Sequence, residues 1–264
     1  MLLAIDIGNS AIKFAIYEAE GLLHRFSVAT WRDYSPEELF FDRLKYVEQR
    51  FVRIDLVMAA SVVPELNATL TKASQELFQV TPIFVDAGHD MEMPIKYDPP
   101  EHAGADRLIG AFAARQKHGA PLVICSIGTA MVVDAVNAAG EYIGGVIAPG
   151  PRLLAESLHT NTALLPLVQP KRPEKIIGKT TEDAVASGIY YGSAAMAEGL
   201  IRRVENELRE DAPHDISPKI VLTGGYGHLM LEDLPMVDVY EENLVLDGLR
   251  ILADRITDAH HAVS

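Results

Sequence analysis

Asp6-Ile7-Gly8-Asn9-Ser10 places an acid at the end of an apolar run and follows it at once with turn residues. Backbone N–H groups exposed by such a turn cradle phosphate oxygens, with the Ser10 hydroxyl and the Lys13 ammonium available to help. Asp6 is placed to hold a divalent ion directly or through water. The plainer reading is a hairpin turn carrying an exposed acid. Ser126-Ile127-Gly128-Thr129-Ala130, with Asp134 behind it, restates the pattern in the second half of the chain. Two such turns can grip a triphosphate from both sides. Asp134 reads equally as a structural carboxylate.

Gly104-Ala105-Asp106-Arg107 follows Tyr97-Asp98-Pro99-Pro100. Asp106 falls at an expected helix start, where the dipole favours a carboxylate. It also suits a general base for a hydroxyl nucleophile, with Arg107 binding an anionic group. Phosphoryl transfer to an alcohol needs such a base or positioner. Gly144-Gly145 and Gly224-Gly225 permit close backbone approach, the second pair suiting the flat ring of an adenosine. Thr180 and Thr181 stand before a helical run, as helix cap or as ligand.

These residues are positioned by elements the pattern predicts. Residues 2–7, 11–17 and 22–28 read as strands joined by turn chemistry. Ser35-Pro36-Glu37-Glu38 is a capping box with proline at the first helical position, so a helix runs to about residue 51. A strand over 54–62, a helix over 64–77 and a strand over 82–85 follow. After the proline-rich loop 93–100, residues 105–117 have helical periodicity. The strand–turn–strand opening then restarts at 122–126, 131–136 and 142–147. Helices are expected at 151–158, 181–210 and 246–260, and a strand at 219–222. The layout is a duplication of two α/β lobes, divided as 1–118 and 119–264, with a cleft between them.

Composition narrows the chemistry. The 264 residues carry a net charge of −14, which argues against a nucleic-acid binder that works through a broad basic surface. One cysteine, Cys125, excludes an internal disulfide and any multi-cysteine zinc site, and suits a reducing cytoplasm. Nine histidines, His260 and His261 in a polar tail among them, show no metal spacing. No apolar stretch is long enough for a membrane span, and the first residues lack the basic segment of a signal peptide.

Taken together and in order, DIGNS, YDPP with GADR, the GTA turn, GGVIAPG, TALLP, IGKTTEDAVASG and TGG resemble the type III pantothenate kinases. That family belongs to the superfamily of actin, the acetate and sugar kinases and the heat-shock chaperone ATPases. The resemblance covers nearly the whole chain. It implies an α/β fold of two duplicated actin-like, ribonuclease H-like lobes. It implies ATP-dependent phosphorylation of pantothenate to 4'-phosphopantothenate, the first step of coenzyme A synthesis, in the cytoplasm.

Carried over by residue, Asp6, Ile7, Gly8, Asn9, Ser10, Ala11, Ile12 and Lys13 become the first ATP-phosphate segment, with Ser10 where the family usually has threonine. Thr129 becomes an ATP contact and Asp106 the catalytic base. Tyr97, Gly104, Ala105, Asp106, Arg107 and Thr181 become pantothenate contacts. Mg²⁺ would be held through the phosphates at Asp6. The resemblance also implies a homodimer that completes the substrate pocket across its interface, with no nucleic-acid or membrane partner.

Two departures from the pattern Asp-x-Gly-Thr-Ala-x-Thr-x-Asp stand out: Ser126 replaces the first acid and Val132 the second threonine. The first acid is the family's ligand for a monovalent cation, K⁺ or NH₄⁺, and Ser126 brings an oxygen without the charge. These departures favour a non-catalytic, accessory member of the fold. Asp6, Asp106, Arg107 and Thr181 argue for a working kinase. A kinase for another small hydroxy acid is the third reading, which Tyr97 and residues 104–107 disfavour.

Overall fold

The computed structural model describes residues 1–19, 21–30, 35–51, 53–211 and 217–263, without the side chains of 211 and 258–263. The tail pair His260 and His261 therefore lies outside the described side chains.

β1 (Leu2–Ile7) is buried along its whole length, as an apolar run flanked on both sides must be. The Gly8-Asn9 turn returns the chain as β2 (Ala11–Glu18), antiparallel to β1 and in a register that sets Lys13 opposite Asp6. β3 (Gly21–Ala29) alternates in exposure and forms the sheet edge. α1 (Pro36–Arg50) begins at the expected capping box: the Ser35 hydroxyl accepts the Glu38 N–H, and the Glu38 carboxylate accepts the Ser35 N–H. β4 (Leu56–Ser61) then lies parallel to β1. A 3₁₀ turn at Pro64–Leu66 and α2 (Asn67–Phe78) lead to β5 (Ile83–Phe84). The sheet order is β3-β2-β1-β4-β5. Its core packs Leu3, Ile5, Ile7 and Phe14 against Phe40 and Leu44 of α1 and Leu70 of α2.

α3 (Ala105–His118) precedes the second sheet. β6 (Leu122–Ile127), β7 (Ala130–Val136) and β8 (Tyr142–Pro149) run antiparallel. α4 (Pro151–Asn161) and the long α5 (Thr181–Asp211) cross over to β9 (Lys219–Thr223), parallel to β6. The short α6 (Gly227–Met230) leads to β10 (Val239–Tyr240) beside β9. The order β10-β9-β6-β7-β8 repeats the first sheet's topology, so the duplication read from the sequence is a duplication of strand order. Val123, Cys125 and Ile127 pack there against Tyr190, Ala194 and Ile201 of α5.

The chain forms two compact units, and they differ from a division after residue 118. The first comprises Met1–Glu92, Asp98–Ala113 and Leu244–Ser264; the second comprises Met93–Tyr97 and Ala114–Asn243. The end of α3 from Ala114 falls in the second unit, and two further differences have physical causes. α7 (Leu244–Val263) packs against β1 and β4, burying Leu249, Leu252 and Ala253, and Asp247 accepts the Tyr17 hydroxyl at 3.1 Å. The segment Met93–Tyr97 joins the edge of the second sheet, where Ile95 bridges Tyr142. β5 is shorter than expected, because Pro82 has no N–H to give a ladder.

Candidate active site

The first turn leaves β1 at Asp6, which is only 7% exposed. The cross-strand register brings the Lys13 ammonium 3.3 Å from the Asp6 carboxylate. The acid and the base expected to serve phosphate are thus partners of one another. Gly8 closes the turn by donating its N–H to the Ala11 carbonyl at 3.1 Å. Asn9 at the tip is exposed. Ile7 and Ile12 are fully buried, so they can offer phosphate only their backbone.

Thr30, at the end of β3, was not among the residues expected here, yet it locks the turn. Its hydroxyl donates to the Gly8 carbonyl at 2.6 Å and its N–H to the Ser10 carbonyl at 3.1 Å, and the residue is 4% exposed. Nothing in the local sequence marks it: the bond joins residues 22 positions apart.

Residues 104–107 lie beside this turn within the same unit. Val62, which donates its N–H to the Ile7 carbonyl at 3.0 Å, packs against Gly104, where a Cβ would stand 3.8 Å from Val62 Cγ1. The segment therefore sits at the carboxyl ends of β1 and β4, the end of a parallel pair where α/β folds bind ligands. Asp106 lies in the first turn of α3, half-buried, and its Oδ1 accepts the Arg107 N–H at 2.8 Å. A helix N-terminus favours the ionised carboxylate, the form a proton acceptor needs.

The second turn, in the second unit, is one residue shorter: Ile127 pairs with Met131 where Ile7 pairs with Ile12. Gly128 donates its N–H to the Ala130 carbonyl at 2.9 Å. Gly150 packs onto it and donates to the Thr129 carbonyl at 3.0 Å; a Cβ at Gly150 would lie 2.2 Å from the Gly128 carbonyl oxygen. Thr129 and Ser126 are partly exposed, at the mouth of the turn. Asp134 is 4% exposed and accepts the Tyr142 hydroxyl at 2.9 Å. Burial, and then the Asp134 charge, push the Cys125 thiol up to about 12, so it stays protonated and unreactive.

Tyr97 belongs to this unit too, its ring 6.4 Å from that of Tyr142. At the start of α5 the Thr180 hydroxyl accepts the Asp183 N–H at 3.1 Å. Thr180 is the cap, and Thr181 is the exposed first helical residue. Further along, burial and then the hydrogen bond to Asp233 raise the Tyr190 hydroxyl above its ordinary range.

Among the described residues no three acidic, histidine or cysteine side chains cluster as a metal cage. One buried carboxylate beside a phosphate-type turn does fit a Mg²⁺ ion held chiefly by nucleotide phosphates. No helix among the described residues is long and apolar enough to cross a membrane.

Two mixed five-stranded sheets of one order, each with a glycine turn after its first strand, make this an α/β protein of the actin-like fold. The fold is similar to that of the activator of the 2-hydroxyisocaproyl-CoA dehydratase from Clostridium difficile with bound ADPNP, with a TM-score of 0.53 at 11% identity over 100% of this chain and 98% of that one. It is similar also to a Sinorhizobium meliloti protein described as a 2-dehydro-3-deoxygalactonokinase, with a TM-score of 0.55 at 13% identity over 97% and 99% of the two chains. In sequence, residues 2–203 match the family model of the type III pantothenate kinases. The type III pantothenate kinase of Citrifermentans bemidjiense is 36% identical over 258 residues, 97% of this chain and 99% of that one. The chain belongs to the type III pantothenate kinase family.

Proposed function

We propose that the protein transfers the γ-phosphoryl group of ATP to the hydroxyl of pantothenate, giving 4'-phosphopantothenate, the first step of coenzyme A synthesis. The observation that carries this reading is the GADR segment of a family-wide match, seated at the carboxyl ends of β1 and β4 beside a phosphate-type turn. Asp106 accepts the hydroxyl proton as the oxygen attacks. Arg107 binds the pantothenate carboxylate as a fixed cation. Tyr97, Gly104, Ala105 and Thr181 complete the substrate contacts. The segment from Asp6 to Lys13 and the Thr129 turn bind the phosphates, and Asp6 helps to hold Mg²⁺. Bound there, Mg²⁺ would offset charge on the phosphates.

Ser126 supplies a neutral oxygen at the cation position, and a neutral ligand attracts K⁺ or NH₄⁺ less than a carboxylate does. The enzyme therefore works without a monovalent cation. It is a homodimer, a reading supported by Leu164 and Ile177, which are 90% and 80% exposed. A lone buried Cys125 and the use of ATP suit the cytoplasm.

The test is ADP release with ATP, Mg²⁺ and pantothenate, with and without K⁺. Turnover that depends on pantothenate and changes little with K⁺ is expected. Asp106→Asn should keep the fold and lose roughly 10²–10⁴-fold in kcat. A tenfold rise with K⁺ would remove the cation reading. No turnover under any cation would replace the kinase reading with that of an accessory protein.

A further inference from the structure

Tyr97 is held from three directions within the second unit. Its own segment is pinned by backbone: Lys96 donates its N–H to the Tyr142 carbonyl at 2.8 Å, and Tyr142 donates to the Pro94 carbonyl at 2.9 Å. Its ring leans on the Tyr142 ring, centroids 6.4 Å apart and planes tilted by 45°. Its edge rests against Gly144, where the backbone has φ +106° and a Cβ would stand 3.3 Å from Tyr97 Cδ2.

Tyr142 is itself immobilised. It is fully buried, and its hydroxyl donates to Asp134 Oδ1 at 2.9 Å. Asp134 is 4% exposed and is covered by Gly145, where a Cβ would lie 2.8 Å from Asp134 Oδ1 and 2.2 Å from the Val133 carbonyl oxygen. A buried carboxylate and tyrosine are a costly filling for a core that valine and phenylalanine would pack more cheaply. Their return is orientation: a hydrogen bond fixes a ring that apolar packing alone leaves free to slide. Tyr142 and the two glycines that follow it thus bear either on Tyr97 or on the acid that holds Tyr142.

We infer that Tyr142 and Asp134 are positioning residues for Tyr97, and through it set the affinity for pantothenate. This rests on the proposed role of Tyr97 as a pantothenate contact. The arrangement makes substrate affinity depend on one hydroxyl about two residues removed from the ligand. The proposed nucleotide contacts are other residues, 6–13 and Thr129; Thr129 opens the hairpin whose second strand carries Asp134, and the ATP KM is therefore measured beside the pantothenate KM.

The experiment measures KM for pantothenate and for ATP, and kcat, in the full-length enzyme and its variants. Tyr142→Phe keeps the ring and removes the hydroxyl. It should raise the pantothenate KM about three- to tenfold, the value of one hydrogen bond, and leave the ATP KM within about twofold. Asp134→Asn, which keeps an acceptor oxygen, should do less harm than Asp134→Ala. In a Tyr97→Ala background Tyr142→Phe should add nothing, because the two act in series. An unchanged pantothenate KM in Tyr142→Phe overturns the inference, as does the same rise in the Tyr97→Ala background. Should Tyr142→Phe fail to fold, Asp134→Asn reads the same link, and equal rises in both KM values would overturn it. A wild-type enzyme that leaves pantothenate unphosphorylated overturns the functional reading and the inference together, and is seen without any variant.

Discussion

Thr30 and Asp106 mark the two ends of what single residues disclose. Asp106 stands in a recognisable run of four residues, so its place at a helix start is legible in the sequence, whereas its place beside the first turn comes from the packing of Gly104 on Val62. Thr30 lies 22 residues from the Gly8 carbonyl it holds, and nothing in its own neighbourhood announces the bond. The same is true of the Asp6–Lys13 pair: both residues were legible as phosphate candidates, but only the strand register sets them face to face. Thr30→Val keeps the shape and the backbone bond to Ser10 while leaving the Gly8 carbonyl short of a donor. A buried group stripped of its partner costs about 1–3 kcal/mol. The turn should loosen, raising the ATP KM several-fold and leaving the pantothenate KM nearly still, with a thermal midpoint lower by a few degrees. A lower midpoint with both KM values unmoved would reduce Thr30 to a purely structural residue.

Elements with a long period or a strong cap were legible, and short or non-local ones were not. β1 announced itself as an apolar run interrupted only by Asp6 near its end, and α1 by its capping box. β10 has two residues, too few to show any alternation, and forms only because β9 lies beside it. The pairing of Ile95 with Tyr142 joins a proline-rich loop to a strand 47 positions away, as no local signal could indicate. At the start of α5 the sequence left the cap open between two threonines, and the geometry gives it to Thr180, so that the proposed substrate role stays with Thr181. Thr180→Ala should therefore cost about 1 kcal/mol of stability and spare both KM values. Thr181→Val should raise the pantothenate KM and spare the thermal midpoint. The reverse pattern would exchange the two assignments.

Chain order and compact units part company at the C-terminus, and the cause is again non-local. α7 has buried residues at helical spacing, Leu246, Leu249, Leu252 and Ala253, but a period does not say which sheet receives the face. The Tyr17 hydroxyl on Asp247 and the packing on β1 and β4 answer that. The exposed apolar residues pose the opposite question, of what covers them. Ile147, Leu164, Ile176 and Ile177 are 61%, 90%, 66% and 80% exposed, all in the second unit. Burying each fully would return about 1.5–3 kcal/mol, so four together are enough to drive association once ordering costs are met. A second copy of the chain is the cover proposed, and Ile177 stands four positions before Thr181. An interface that orders this loop would then also order the substrate side of α5. Ile177→Glu places a charge in that contact, which cannot be buried without a partner. It should sediment as a monomer at micromolar concentration, where the wild type sediments as a dimer, and its pantothenate KM should rise well above its ATP KM. A wild-type protein that is monomeric, or a variant that keeps both the dimer and the KM, would separate the exposed face from the active site.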